Sequence, residues 1–305
     1  MSKLAAYQRY TDLYKKGILQ KRAVEMIAKL SNCNLCPRNC GVNRLENERG
    51  TCSTGRKAMV SSYSAHFGEE RPLVGRYGSG TIFFTNCNLL CSFCQNYDIS
   101  HLGRGVEVDD SQLADMMLDL QDRGCHNINL VTPSHVVPQI ISAVAVAVGE
   151  GLKVPIVYNT GAYDNVSTLK ALEGIIDIYM PDFKFWTGDL AMETCNVRDY
   201  KKVAARAIKE MYRQVGDLEV NNEGIAWRGL LVRHLVMPGY VADTRKILHH
   251  IANSVSKNTY VNIMPQYYPC GEVLRSDKLG RTLGPAEHRE AIEYAKAVGL
   301  QRLDY

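Results

Sequence analysis

Three cysteines spaced C-x3-C-x2-C, at Cys87, Cys91 and Cys94, constrain this chain more than any other feature. They follow a β-branched and aromatic run, Thr81 to Thr85, that predicts a buried strand ending at a loop. Thiolates set so close converge on one soft metal centre, because a short loop turns the three sulfurs inward together. A structural zinc takes four protein ligands and plant-type clusters take four cysteines, so three thiolates on a [4Fe–4S] cluster leave one iron open to an exchangeable ligand. A zinc knuckle completed by a distant histidine, or buried thiols without metal, are the competing readings. The strand before the motif and the spacing within it favour the cluster.

A second set lies upstream. Cys33, Cys36, Cys40 and Cys52 are spaced C-x2-C-x3-C-x11-C, with Pro37, Gly41 and Gly50 at the turns that let a short loop wrap a metal. Four thiols satisfy structural zinc and a second iron–sulfur cluster equally. Zinc there would hold the segment's fold; a cluster could relay electrons to the open iron. Seven of the ten cysteines fall in these two groups, a metal-binding distribution rather than a disulfide framework, and this predicts a reducing cytoplasm.

With 305 residues the chain has room for one large α/β domain and an appendage. Thirty-six basic against 32 acidic residues give a net charge of +4, and no Lys/Arg run is dense enough for a nucleic-acid groove. Met1 to Leu4 lead into a polar stretch with no signal-like apolar region, and the longest apolar run, Ile140 to Val148 interrupted by Ser142, is too short to span a bilayer. The expectation is a soluble, cytoplasmic protein without a membrane partner.

Leu4, Tyr7, Tyr10, Leu13, Tyr14, Leu19, Val24, Ile27 and Leu30 recur at a spacing that predicts one or two amphipathic helices broken at Gly17, packed on the main domain. The chain then divides into an N-terminal helical and cysteine-rich segment, 1–60, and a domain over 61–305. In the latter, strand-like and helix-like patches alternate: helices over 111–123, 135–148, 165–172, 190–214, 243–255 and 285–298, with strands over 127–132, 154–158, 175–180, 230–236 and 260–264 and a last one near 300–304. Six or so βα units predict a parallel sheet with helices outside it.

The C-x3-C-x2-C motif, with Phe93 just before its last cysteine, resembles the radical S-adenosylmethionine (SAM) enzymes. The stretch from Cys36 to Arg44 further resembles the pyruvate formate-lyase activating-enzyme-like branch that carries a cysteine-rich N-terminal segment. The resemblance runs from about Asn32 to the C-terminus. It implies an open, partial (β/α)6 barrel. It also implies an open iron that binds the amino and carboxylate groups of SAM, and reductive cleavage of SAM to a 5′-deoxyadenosyl radical that abstracts hydrogen. The implied partners are an electron donor such as flavodoxin or ferredoxin and a glycyl-radical enzyme as substrate. Radical modification of another protein, peptide or small molecule is the enzymatic alternative, and an iron–sulfur electron carrier or redox sensor the non-enzymatic one. Polar residues at five strand ends favour an enzyme, since a carrier needs no substrate pocket.

Chemistry in parallel α/β folds collects at the carboxyl ends of strands. The activating enzymes carry a glycine-glycine-acidic motif for the SAM amino group; this chain has Thr132, Pro133, Ser134 and His135 there, so Thr132 or Ser134 would offer the oxygen acceptors. His135 reads as a helix-start residue. Asn159, Thr160 and Gly161 resemble the loop near SAM, and Asp182 and Lys184 the family's Asp-Leu-Lys. Arg233, inside an apolar strand, needs an acceptor, either the SAM carboxylate or a structural carboxylate. Met264 lies in a signature near the adenine or the substrate, with Tyr267 and Tyr268 as lid or packing residues, and Phe93 is the expected adenine neighbour. Of the remaining thiols, Cys125 and Cys195 read as idle and Cys270 lies on a loop at the same face.

Overall fold

The computed structural model describes residues 9–305, without the side chains of residues 271 and 272. Ten strands form one sheet: β1 (Ala58–His66), β2 (Ser79–Phe84), β3 (Val106–Val108), β4 (Ile128–Val131), β5 (Ile156–Thr160), β6 (Ile178–Pro181), β7 (Glu219–Val220), β8 (Ala226–Leu235), β9 (Tyr260–Met264) and β10 (Arg302–Asp304). Their spatial order is β10-β9-β8-β6-β5-β4-β2-β1-β3, with β7 beside β8. From β2 to β10 every neighbour in that path is parallel, and β1, β3 and β7 pair antiparallel. The ends of the path do not meet. The architecture is therefore the expected open (β/α)6 partial barrel, with antiparallel β1 and β3 added at one edge.

Six crossover helices connect the parallel strands: Asp110–Asp122, Val137–Gly149, Val166–Ala171, Tyr200–Val215, Val241–Ser254 and Pro285–Ala297. The first starts where its sequence dictates. Asp109 accepts from the Gln112 backbone at 2.9 Å, and the Gln112 side chain accepts from the Asp109 backbone at 3.0 Å, a reciprocal cap. The helix expected over 190–214 is two helices, Gly188–Cys195 and Tyr200–Val215, because Asn196 turns left-handed at φ 53°. The helix expected from 135 begins at Val137, with Pro138 in its first turn, and His135 lies outside it.

Helices Arg9–Lys15 and Ile18–Ala28 flank Gly17, whose φ of 68° makes the predicted break. They pack on the barrel: Leu19, Ala23 and Met26 are buried, and the Tyr10 hydroxyl donates to the Val154 carbonyl at 2.9 Å. Leu4 and Tyr7 lie outside the described residues. Among the described residues no helix is long and apolar enough to cross a membrane.

Candidate active site

The loop after β2 carries Cys87, Cys91 and Cys94 to the carboxyl end of the parallel strands. They line one cavity of about 160 Å³, with Thr132 and Ser134 after β4, Asn159 and Thr160 at the end of β5, Asp182 and Lys184 after β6, and Arg233 on β8. Phe93 and Met264 line an adjoining cavity of about 270 Å³, which shares Cys91, Cys94, Asp182, Lys184 and Arg233 with the first. Phe93 itself is packed, edge-on to Phe185 at 6.0 Å and tilted against Tyr267 at 5.9 Å.

Several backbone conformations here are ones that side chains avoid. Asn86, Leu90, Thr132 and Ala162 have φ between 52° and 65°. Non-glycine residues in this region persist only where surrounding structure over-determines them, and they cluster at functional sites.

The thiols are held in unfavourable surroundings for a bare thiolate. Burial pushes Cys87 up to about 12 and raises Cys94. Cys91 is raised, first by its contact with the neighbouring Cys195 sulfur and then by burial, with Lys184 acting against both. A bound metal cation supplies the missing stabilisation of the thiolates, which is how this donor set fits an iron–sulfur cluster.

The charged residues satisfy one another. Asp182 accepts from Lys184 Nζ and from Arg233 Nε, each at 2.6 Å, and Asn159 Oδ1 accepts from Arg233 Nη2 at 2.7 Å. Burial opposes ionisation of Asp182, but Arg233 and Lys184 outweigh it and hold the carboxyl down at about 2. Glu69 and Glu70 approach Arg233 from the other side, at 3.7 and 3.8 Å. Burial pushes Glu69 up to about 7, against the pull of Arg233. The acceptor that Arg233 meets is thus a set of structural carboxylates, Asp182 foremost. Ser134 and Thr160 join hydroxyls at 2.9 Å, and Thr160 donates to the buried Asp164 at 2.7 Å.

Sequence reasoning passed over several residues that shape the site. Asp164, Glu69 and Glu70 carry no motif. Arg38 comes from the cysteine-rich segment and reaches the three-cysteine loop: its guanidinium donates to the carbonyls of Asn88, Leu89, Cys195 and Asn196 at 2.9, 3.3, 2.8 and 3.0 Å. The Cys195 thiol, expected to be idle, lies against Cys91, and the Cys270 thiol donates to the Phe93 carbonyl at 3.1 Å. Cys125 is buried away from either cavity.

Cys33, Cys36, Cys40 and Cys52 line a separate, small cavity. Burial pushes Cys36 up to about 12 and raises Cys52. His135 lines it too, buried rather than capping a helix. Among the described residues no three His, Cys, Asp or Glu side chains stand as a single metal ion would hold them.

No protein-family model matches the chain. Among solved structures it is similar to native anSMEcpe with bound AdoMet (TM-score 0.46, 11% identity, 70% of this chain and 57% of that one). It is similar to the same protein with AdoMet and Kp18Cys peptide (TM-score 0.48, 10% identity, 72% and 60%). A third is the radical S-adenosylmethionine methyltransferase TsrM from Kitasatospora setae with cobalamin and a [4Fe–4S] cluster (TM-score 0.43, 14% identity, 62% and 36%). The chain thus spans less than two thirds of each of these proteins. By sequence it is 31% identical over 301 residues to the uncharacterized protein MJ0674 of Methanocaldococcus jannaschii, covering 95% of this chain and 82% of that protein. At that identity over nearly its whole length, the chain belongs to the same protein family as MJ0674.

Proposed function

We propose that this protein is a radical SAM enzyme, with a [4Fe–4S] cluster on Cys87, Cys91 and Cys94. The observation that carries the reading is the single cavity in which three thiols of a C-x3-C-x2-C loop, Cys91 buried and Cys87 and Cys94 half-buried, face polar groups from four successive parallel strands. When bound, the cluster supplies one-electron reductive cleavage of SAM to a 5′-deoxyadenosyl radical. The chain's own residues bind, orient and exclude water. Thr132, Ser134, Asn159 and Thr160 present oxygens for the SAM amino group and ribose. Lys184 and Arg233, fixed by Asp182, keep positive charge beside the position of the SAM carboxylate. Phe93 and Met264 offer the apolar surface for adenine. The adjoining cavity is the approach for a substrate C–H bond, which must be placed and kept dry because a primary carbon radical attacks whatever it meets.

For the substrate we propose a glycine of a glycyl-radical enzyme, with a flavodoxin or ferredoxin as electron donor, on the resemblance of the Cys36–Arg44 stretch and of the strand ends to activating enzymes. Appearance of a glycyl-radical EPR doublet on a co-incubated partner supports this; a bound partner that never acquires the radical overturns it.

The test of the reaction class is 5′-deoxyadenosine formation by anaerobically reconstituted, dithionite-reduced protein given SAM. The Cys87→Ala/Cys91→Ala/Cys94→Ala variant is run alongside. Product that disappears in the variant is the expected result. No product from protein shown to carry its cluster, with and without the candidate partner, overturns the reading.

A further inference from the structure

Next to the two cavities of the SAM site lies a third, of about 310 Å³. Arg233 lines all three, and Met264 and Gln266 line the second and the third, so the space continues from the thiols to the edge strand β10. Glu69 and Glu70, from the chain between β1 and β2, line the third cavity together with Asp304 of β10.

Glu70 is only 6% exposed, yet half of its carboxylate is unused. Oε1 accepts from Asn262 Nδ2 at 3.0 Å, and Oε2 has no partner. Arg233 does not supply one. Its Nη1 stands 3.8 Å from Glu70 Oε1 and 3.7 Å from Glu69 Oε2, too far for a hydrogen bond, while its Nε and Nη2 are committed to Asp182 and Asn159. Buried polar atoms are rarely left unpaired, and an orphaned carboxylate oxygen lacks a donor.

The charges point the same way. Glu69, Glu70, Asp182 and Asp304 are four carboxylates in and behind this cavity, against three cations, Arg71, Lys184 and Arg233. One negative charge is left over, and Arg71 is exposed, so water screens its share. Glu69 absorbs the excess by holding a proton, pushed up to about 7 by burial against the pull of Arg233. An entering cation takes the place of that proton. A metal ion does not suit the site, because among the described residues no three His, Cys, Asp or Glu side chains stand as one ion would hold them. A ligand that brings both N–H donors and positive charge is a protonated amine or a guanidinium.

We propose that this third cavity is a substrate subsite for a cationic group, a protonated amine or a guanidinium, held by Glu69 and Glu70 with Asp304 completing the acceptor set. A substrate anchored there reaches the SAM site past Arg233, Met264 and Gln266, and the remote anchor orients the C–H bond that is to react. The inference rests on the radical SAM reading for what the substrate meets next, whereas the preference of the cavity for a cation is measured without turnover.

Calorimetric titration of the cluster-reconstituted protein compares butylguanidinium and butylammonium with the neutral isostere butylurea, with and without saturating SAM. At least one of the two cations is expected to bind about 10-fold or more tightly than butylurea, the scale of one charged hydrogen bond. Glu69→Gln/Glu70→Gln should abolish that preference, and SAM should leave the cation affinity unchanged. If the double variant fails to fold, Glu69→Gln and Asp304→Asn still decide, since each should weaken the cation and leave butylurea unmoved. Equal affinity for butylurea, no binding of either cation, or a preference that survives these substitutions would overturn the proposal. Displacement of the cation by SAM would also overturn it, because the carboxylates would then hold the amino group of SAM itself. A cation preference in protein that forms no 5′-deoxyadenosine would instead count against the SAM reading and leave the subsite standing.

Discussion

The thiol of Cys195 lies 3.2 Å from the sulfur of Cys91, brought there by the short helix Gly188–Cys195, whose Thr194 carbonyl also accepts from the Ser92 backbone at 2.8 Å. A thiol donor to a cluster sulfur raises the reduction potential, because it stabilises the extra negative charge of the reduced state. Cys195→Ala is expected to keep iron content and lower the midpoint potential. An EPR-monitored redox titration checks this, and an unchanged potential would remove Cys195 from the site.

Arg38 spans the two cysteine segments by binding four main-chain carbonyls, those of Asn88 and Leu89 within the three-cysteine loop and those of Cys195 and Asn196 beside it. Charged hydrogen bonds are the strong ones, although the partial exposure of these limits each. Arg38→Ala is expected to lose about 2 kcal/mol of stability in urea unfolding. It should also lose iron from the Cys87/Cys91/Cys94 loop faster on exposure to a chelator. Arg38→Lys reaches too few of the carbonyls at once to restore this.

Asp182 holds two cations in place, so removing its charge is worse than removing the network. Asp182→Asn leaves Lys184 and Arg233 buried with their main partner gone, and should cost about 3 kcal/mol. Asp182→Asn/Lys184→Met should recover part of that loss, which chemical denaturation of both variants measures.

Glu69 gives a pH dependence. Its carboxyl is pushed by burial to about 7, above the unfolded value of about 4.3. The folded state therefore keeps a proton that the unfolded state has released, and the group's stabilisation is present below the unfolded value and lost as pH rises through 7. Relative to Glu69→Gln, the unsubstituted protein should lose stability between about pH 4 and pH 7, roughly the window those two values define. Parallel curves for the two proteins would contradict this.

The residues legible in sequence were those whose chemistry is local. The C-x3-C-x2-C spacing, the polar ends of apolar strands and the arginine inside β8 each announce a function through neighbours in the chain. What stayed hidden depends on contacts between distant segments. Nothing near Arg38 says that its acceptors lie about the Cys87 loop, nor does anything near His135 say that Thr85 stands behind its ring. Helix-cap statistics put His135 at a helix start, but Pro138 and the left-handed Thr132 delay that start and leave the imidazole facing inward. Likewise β1 lacks the apolar runs of the parallel strands, because its residues alternate between buried and more exposed positions as befits an antiparallel strand near an edge.

A sheet that fails to close has two rims of unpaired backbone, the usual starting point for unwanted association between molecules. Here the rims are β3 and β10, three residues each, and both carry charge, Glu107 in one and Arg302 and Asp304 in the other. Neither is long or apolar enough to template a strand from another copy. The protein can therefore keep its barrel open along one side without becoming prone to aggregate through that opening.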